Sequence, residues 1–157
     1  MAERPVSATE IADDGHEPTL LYLVGRIDRV VRRAMGSVLT AQGLSVNQYA
    51  TLSVLNRGSG LSNAQLARRA LVSPQSMNEV LLTLEQRGLV GRRAHPDHGR
   101  ILQARLTAKG RALLARCDAE VHEVEARMVS GLSNGERAAL RGALLSGIRT
   151  LQGGLQE

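Results

Sequence analysis

Apolar residues first fall into a steady rhythm near Thr19. Leu20, Leu23, Val24, Ile27, Val30, Val31, Val38 and Leu39 recur every three or four positions, the spacing that lines one side of an α-helix. Arg26, Arg29, Arg32 and Arg33 occupy the other side, and Gly43 stands where such a helix would end. Ser45-Val46-Asn47-Gln48 has the form of a capping box and opens a second helix carrying Tyr49, Leu52 and Leu55. Arg57-Gly58-Ser59-Gly60 reads as a loop. Ser62-x-x-Gln65 is a second capping box, followed by Leu66, Ala67 and Ala70. Ser73 then caps another short helix with Pro74 at its first position, where the missing N–H costs nothing. Val80, Leu81 and Leu84 give that helix its stripe, and Gly88 stops it. The period changes after this point. Residues 89–94 and 101–106 read as two short strands joined by His95-Pro96-Asp97-His98-Gly99-Arg100. Thr107 caps a long helix striped by Leu113, Leu114, Cys117, Val121, Val124 and Met128. Ser133-x-x-Glu136 opens a last one with Leu140, Leu144, Leu145, Ile148 and Leu151.

The pattern predicts a mainly α protein with a small β-hairpin wing. Residues 1–18 are polar and acidic without sustained period and read as a flexible arm; residues 19–152 read as one domain. Within it, 61–106 hold the short helix pair and the hairpin. The long striped segments 19–42 and 107–152 lie at opposite ends of the chain. Such helices either pack on one core or pair between subunits.

Composition narrows the picture. At 157 residues and 43% hydrophobic content the chain can bury a core. Phe and Trp are absent, and Tyr22 and Tyr49 are the only aromatic residues, so that core is aliphatic. Net charge is +5, and every basic residue except Lys109 is Arg, a side chain whose planar fork suits phosphates and guanine edges. The charge is unevenly placed. Arg68, Arg69, Arg87, Arg92, Arg93, Arg100 and Arg105 stand in 61–106 against Glu79, Glu85 and Asp97, whereas the first nineteen residues are acidic. A single cysteine excludes an intrachain disulfide and fits a reducing compartment. No apolar run approaches the ~18 residues of a membrane span, and the N-terminus lacks a signal-peptide core. The expectation is a soluble cytoplasmic protein without a membrane partner.

The chemistry concentrates in the middle segment. A short helix pair with a tight turn and a basic wing suits a DNA duplex. Ser73, Gln75, Ser76 and Asn78 lie on the first turns of the second short helix, a segment (Met77 included) without charge or bulk. Gln and Asn can bond adenine through two atoms, and Ser can reach a phosphate or a base; a helix N-terminus itself favours a phosphate oxygen. Ser62 and Asn63 begin the first short helix and are candidate contacts as well. On the hairpin, Arg92 and Arg93 enter the wing, His98 is a candidate phosphate contact, and Arg100 at the tip can enter a minor groove. Asp97, three residues earlier, can orient Arg100.

These segments resemble those of the MarR family of winged-helix transcriptional regulators. The resemblance spans residues 19–152. It is carried by Gln65-Leu66-Ala67, Val72-Ser73-Pro74-Gln75-Ser76-Met77, Leu84-Glu85-Gln86-Arg87-Gly88-Leu89-Val90 and Val90-Gly91-Arg92-Arg93. Most specific are the wing and its exit, Asp97-x-Gly-Arg100 and Leu106-Thr107-Ala108-Lys109-Gly110. The resemblance implies a winged helix-turn-helix, dimeric through its N- and C-terminal helices. It implies a homodimer that binds a palindromic operator, with the Ser73–Asn78 segment in the major groove and Arg100 in the minor groove. It also implies a repressor released when a small aromatic acid or phenolic compound enters a crevice lined by the first helix, the second helix and the start of the long fifth one. Here Arg26 could meet a carboxylate and Tyr22 or Tyr49 an aromatic ring.

Other chemistries find little footing. The sequence has no GxSxG elbow, and its single lysine follows no phosphate-binding loop, so no catalytic residue or cofactor is expected. His16, His95, His98 and His122 lack metal-ligand spacing, so no metal is expected. Cys117 lies on an apolar stripe, where a thiol is usually inert packing. Two alternatives to the ligand-responsive repressor stand beside it: a DNA-binding module governed by a protein partner, and a redox- or metal-sensing regulator.

Overall fold

The computed structural model describes residues 17–58, 60–95, 99 and 101–153. Most of the acidic arm lies outside the described residues, as do Ser59 and the wing-tip residues Asp97, His98 and Arg100. In chain order the elements are α1 (Leu20–Ala41), α2 (Val46–Arg57), β1 (Leu61–Ser62), α3 (Asn63–Ala70), α4 (Pro74–Gln86), β2 (Val90–Ala94), β3 (Leu102–Leu106), α5 (Ala108–Met128) and α6 (Asn134–Gly153). The chain divides into two compact units, up to Cys117 and from Asp118 onward. Among the described residues no helix is long and apolar enough to cross a membrane.

Side-chain caps start the helices where the sequence signals them. Thr19 Oγ1 accepts from the Tyr22 amide at 3.2 Å. In both Ser45–Gln48 and Ser62–Gln65 the serine bonds the Gln amide while the Gln side chain reaches back to the serine N–H. Such caps satisfy N–H groups that the first helical turn leaves without carbonyl partners. In the second unit, the Ser133 N–H and hydroxyl both donate to Glu136 Oε2, at 2.8 and 2.7 Å. Those bonds, the backbone one foremost, hold the Glu136 carboxyl below the usual carboxylate range.

The wing departs from the expected two-stranded hairpin. Leu61 and Ser62 form a third strand, and the sheet runs β1-β3-β2, antiparallel throughout. A two-residue strand is too short to show alternation, so pattern alone passes over it. In register, Leu61 faces Ala104 from one side and Arg92 faces it from the other. Arg57 extends α2, where the sequence reads as a loop.

The aliphatic core of the first unit forms around α2, α3 and α4. Leu39, Leu52, Leu55, Leu66, Leu81 and Leu84 are fully buried there. Cys117 is also buried, as its place on the stripe of α5 predicts. The stripes of the end helices behave otherwise. Leu20 is 80% exposed, and Val24 and Ile27 on α1 are about half exposed, as are Leu144 and Ile148 on α6.

One junction ties the wing to α5. The Thr107 amide donates to the Leu89 carbonyl at 3.1 Å, the Thr107 hydroxyl donates to Gly88 O at 2.7 Å, and the Gly110 amide donates to Thr107 Oγ1 at 3.0 Å. The first turn of α5 thereby lies directly against the backbone at Leu89. A Cβ on Gly110 would overlap the Leu89 carbonyl, a backbone atom with no freedom to swing aside. The glycine of Leu106-Thr107-x-x-Gly110 is therefore a requirement of close approach. Gly110→Ala should lower unfolding stability by about 1–3 kcal/mol, measured by urea denaturation, whereas the same change at Gly91, whose Cβ would meet nothing, should cost much less.

Candidate nucleic-acid interface

The helix pair is set by one side chain that sequence reasoning assigns elsewhere. Asn63, read from sequence as a DNA contact, donates through Nδ2 to the Pro74 carbonyl at 2.9 Å, and its Oδ1 is buried. It joins the start of α3 to the start of α4 across the turn. Ser62 is occupied with capping α3. Leu71 closes α3 in the left-handed region, at φ 53°, and is 73% exposed.

On α4, Ser73 Oγ accepts from the Ser76 amide at 3.1 Å and donates to the Ser76 hydroxyl at 2.9 Å. Ser73, Pro74, Gln75 and Ser76 are all exposed. Met77 departs from the polar face expected of this segment. It is 2% exposed, and its sulfur receives the buried Thr51 hydroxyl of α2 at 3.9 Å. Met77, Leu81 and Leu84 recur at helical spacing and hold one side of α4 in the core. The polar first turn consequently faces out on a rigid mount.

Arg92 and Arg93 part company. Side chains alternate across a strand, so Arg92 shares a face with buried Val90 while Arg93 takes the other and is exposed. Arg92 Nε and Nη2 both donate to Glu85 Oε2, at 2.9 and 2.6 Å, and Nη1 donates to Asn78 Oδ1 at 3.2 Å. With its side chain 15% exposed, Arg92, read from sequence as a DNA contact, braces β2 against α4. The sequence holds a signal for this: Asn78 and Glu85 stand seven residues apart, on one helical face, and Val90 fixes the phase of β2. Arg87 Nη1 similarly donates to Gly43 O at 2.7 Å, and Lys109 Nζ donates to Arg87 O at 2.9 Å. Arg68, Arg69, Arg93 and Arg105 remain exposed around the helix pair and wing. The roles read for Asp97, His98 and Arg100 lie outside the described residues. Of the residues expected to line the crevice, Arg26 Nη1 donates to the Tyr22 hydroxyl at 3.3 Å on α1, and Tyr49 is half-buried on α2.

A buried-backed helix presenting a polar N-terminal turn, joined through a short turn to a second helix and flanked by a basic three-stranded wing, defines a winged helix-turn-helix. That is a class of duplex-DNA binder. Comparison with known proteins carries the class to a family. Residues 42–101 match the model of the MarR family. The chain is similar to the HTH-type transcriptional repressor Rv2887 of Mycobacterium tuberculosis, at 42% identity over 123 residues, covering 78% of this chain and 86% of that one. The crystal structure of Rv2887 with salicylic acid matches at TM-score 0.69 and 38% identity, over 84% of this chain and 98% of that one. Its complex with DNA matches at TM-score 0.68 and 36% identity, over 83% and 98%. CouR of Rhodococcus jostii RHA1, bound to p-coumaroyl-CoA, matches at TM-score 0.75 and 26% identity, over 87% and 92%. The chain belongs to the MarR family, whose members are DNA-binding transcriptional regulators and not enzymes.

The left-handed turn between the two helices gives a local test. Asparagine tolerates this backbone region better than leucine. Leu71→Asn should therefore raise the melting temperature by roughly 2–4 °C, the effect of about 1 kcal/mol in a domain of this size; a fall in melting temperature would show that the exposed leucine is packed by something that offsets the strain.

Proposed function

We propose that the protein is a homodimeric repressor that binds a palindromic operator and is released by a small aromatic acid or phenolic compound. The observation that carries this reading is the exposed polar turn Ser73–Ser76, held outward by buried Met77, Leu81 and Leu84. In this reading Gln75, Ser76 and Asn78 face base edges in the major groove. Ser73 and Ser62, at helix N-termini, lie near phosphates. Arg93 and His98 contact the backbone from the wing, and Arg100, oriented by Asp97, enters the minor groove. Cytoplasmic location follows from the DNA target.

The relatives support both halves of the proposal. Rv2887 is a repressor with structures bound to DNA and to salicylic acid. CouR binds an aromatic acyl thioester. In this chain the Tyr22–Arg26 pair offers a cation beside a phenol ring, a combination suited to an aromatic carboxylate. A gel shift on the DNA upstream of the protein's own gene, at fixed salt, tests the reading. The expected result is a specific complex that salicylate dissolves. Specific binding untouched by salicylate would remove this effector class, and binding that ignores sequence would remove the repressor.

The dimer has its own support. A two-fold operator needs its two reading helices about one helical turn, roughly 34 Å, apart, so two copies must be held rigidly. The half-exposed apolar side chains on α1 and on α6 provide surface for that pairing. In the second unit a groove of about 320 Å³ lies between α5 and α6, lined by Met128, Val129, Leu140 and Leu144 with the charged Glu125, Arg137 and Arg141. Ile148→Arg, which puts a charge on this apolar face, should give a folded monomer by light scattering with sharply reduced operator affinity. A stable dimer in this variant would move the interface elsewhere.

A further inference from the structure

We infer that Arg92 is a positioning residue that sets the Asn78 carboxamide as a hydrogen-bond donor toward a keto base, guanine or thymine, at one position of each operator half-site. The inference rests on α4 entering the major groove.

The guanidinium group has donors and no acceptor. The Asn78 atom that faces Arg92 Nη1 at 3.2 Å is therefore the oxygen. A carboxamide is planar, so aiming its oxygen at β2 commits its NH2 to the other edge of the group. Asn78 sits on the second turn of α4, half-buried, directly after the exposed polar turn. The amide edge left for a base then carries N–H donors. Donors match guanine O6 and N7 or thymine O4; adenine offers the donors N7 alone, beside an amino group that opposes them, and cytosine offers only an amino group. The two-atom bond to adenine expected of a freely rotating asparagine needs the oxygen and an amide hydrogen turned to the base together, and the Arg92 contact turns the oxygen toward β2 instead.

What keeps Arg92 in this role is Glu85. One carboxylate oxygen receives both Nε and Nη2, which fixes the guanidinium plane and leaves Nη1 aimed at Asn78. Glu85 also balances the charge of Arg92, and the arginine is largely withdrawn from solvent. Both features weaken any claim of Arg92 on a phosphate. Asn78 and Glu85 project from α4 seven residues apart and Arg92 comes from β2, so the amide is held from two elements and not by its own rotamer.

The test begins with duplexes selected from a randomised pool by the wild-type protein. Dissociation constants are then measured for every single-base change at fixed salt, for wild type, Asn78→Ala, Arg92→Met, Glu85→Ala and Glu85→Gln, each checked for folding by circular dichroism. Wild type should prefer guanine or thymine to adenine by roughly tenfold at one position per half-site, and Asn78→Ala should abolish that preference. Arg92→Met and Glu85→Ala should narrow or reverse it in favour of adenine, while Glu85→Gln, which keeps an acceptor for Arg92, should retain it. If Arg92→Met fails to fold, Glu85→Ala carries the same prediction without removing a side chain from the sheet. The inference is overturned if the Asn78-dependent position prefers adenine in wild type. It is equally overturned if Arg92→Met and Glu85→Ala weaken all duplexes evenly with base preferences unchanged, which would make the trio a structural brace or a phosphate anchor. A wild-type protein that enriches no sequence overturns the reading of α4 itself, and the inference with it.

Discussion

Burial of one side of α4 is the constraint on which the rest of the DNA-facing surface depends. Met77, Leu81 and Leu84 lie in the core, and a helix advances by a fixed angle per residue. Once these three are inside, Gln75 and Ser76 are outside, and Asn78 and Glu85 are turned toward β2. Rotating α4 by one residue would bury Asn78 and expose Met77, losing apolar burial of order 1.5–3 kcal/mol for a side chain of that kind and leaving an amide to be satisfied. The reading face is thus aimed by packing on the opposite face, through contacts that never meet DNA.

Hydrogen bonds then lock what packing aims. Asn63 ties the two helix starts together, Arg92 ties α4 to the wing, and Thr107 with Gly110 ties the wing to α5. Each join satisfies a carbonyl or a carboxylate that the adjacent turn leaves open. Two arginines that count toward the net charge also make hydrogen bonds within the fold. Arg87 and Arg92 serve Gly43 and Glu85, while Arg68, Arg69, Arg93 and Arg105 are exposed. Glu85 offsets the charge of Arg92 locally, whereas Arg87, bonded to a neutral carbonyl, keeps its own.

The apolar faces of α1 and α6 set a different constraint. Helices of 22 and 20 residues with leucine, valine and isoleucine half exposed are poorly suited to solvent, and a second copy is the partner the proposed two-fold operator requires. In the proposed repressor, regulation would turn on geometry, since a change in the separation of two reading helices loses one of two half-sites.

Much of this was legible in the residues. Ser45, Ser62, Ser73 and Ser133 mark helix starts because a hydroxyl at that position bonds a local N–H, and Gly88 marks a helix end because it takes φ 68° freely. Residues 89–94 and 101–106, where the helical period stops, contain β2 and β3, and Gly110 of the Leu106-Thr107-x-x-Gly110 motif meets the Leu89 carbonyl from another part of the chain. The caps and the helix stop are short-range effects, complete within four or five residues. Whether a polar side chain faces DNA or its own protein is not of that kind. Asn63 and Arg92 look like contacts in sequence because their donors and charge suit a nucleic acid; the fold gives them to Pro74, and to Glu85 and Asn78. The strand at Leu61–Ser62 exists because β3 offers it an edge, where Leu61 pairs with Ala104 from 43 residues away. Local chemistry therefore determined the elements and their ends, and tertiary packing decided which side of each polar residue remained for a partner.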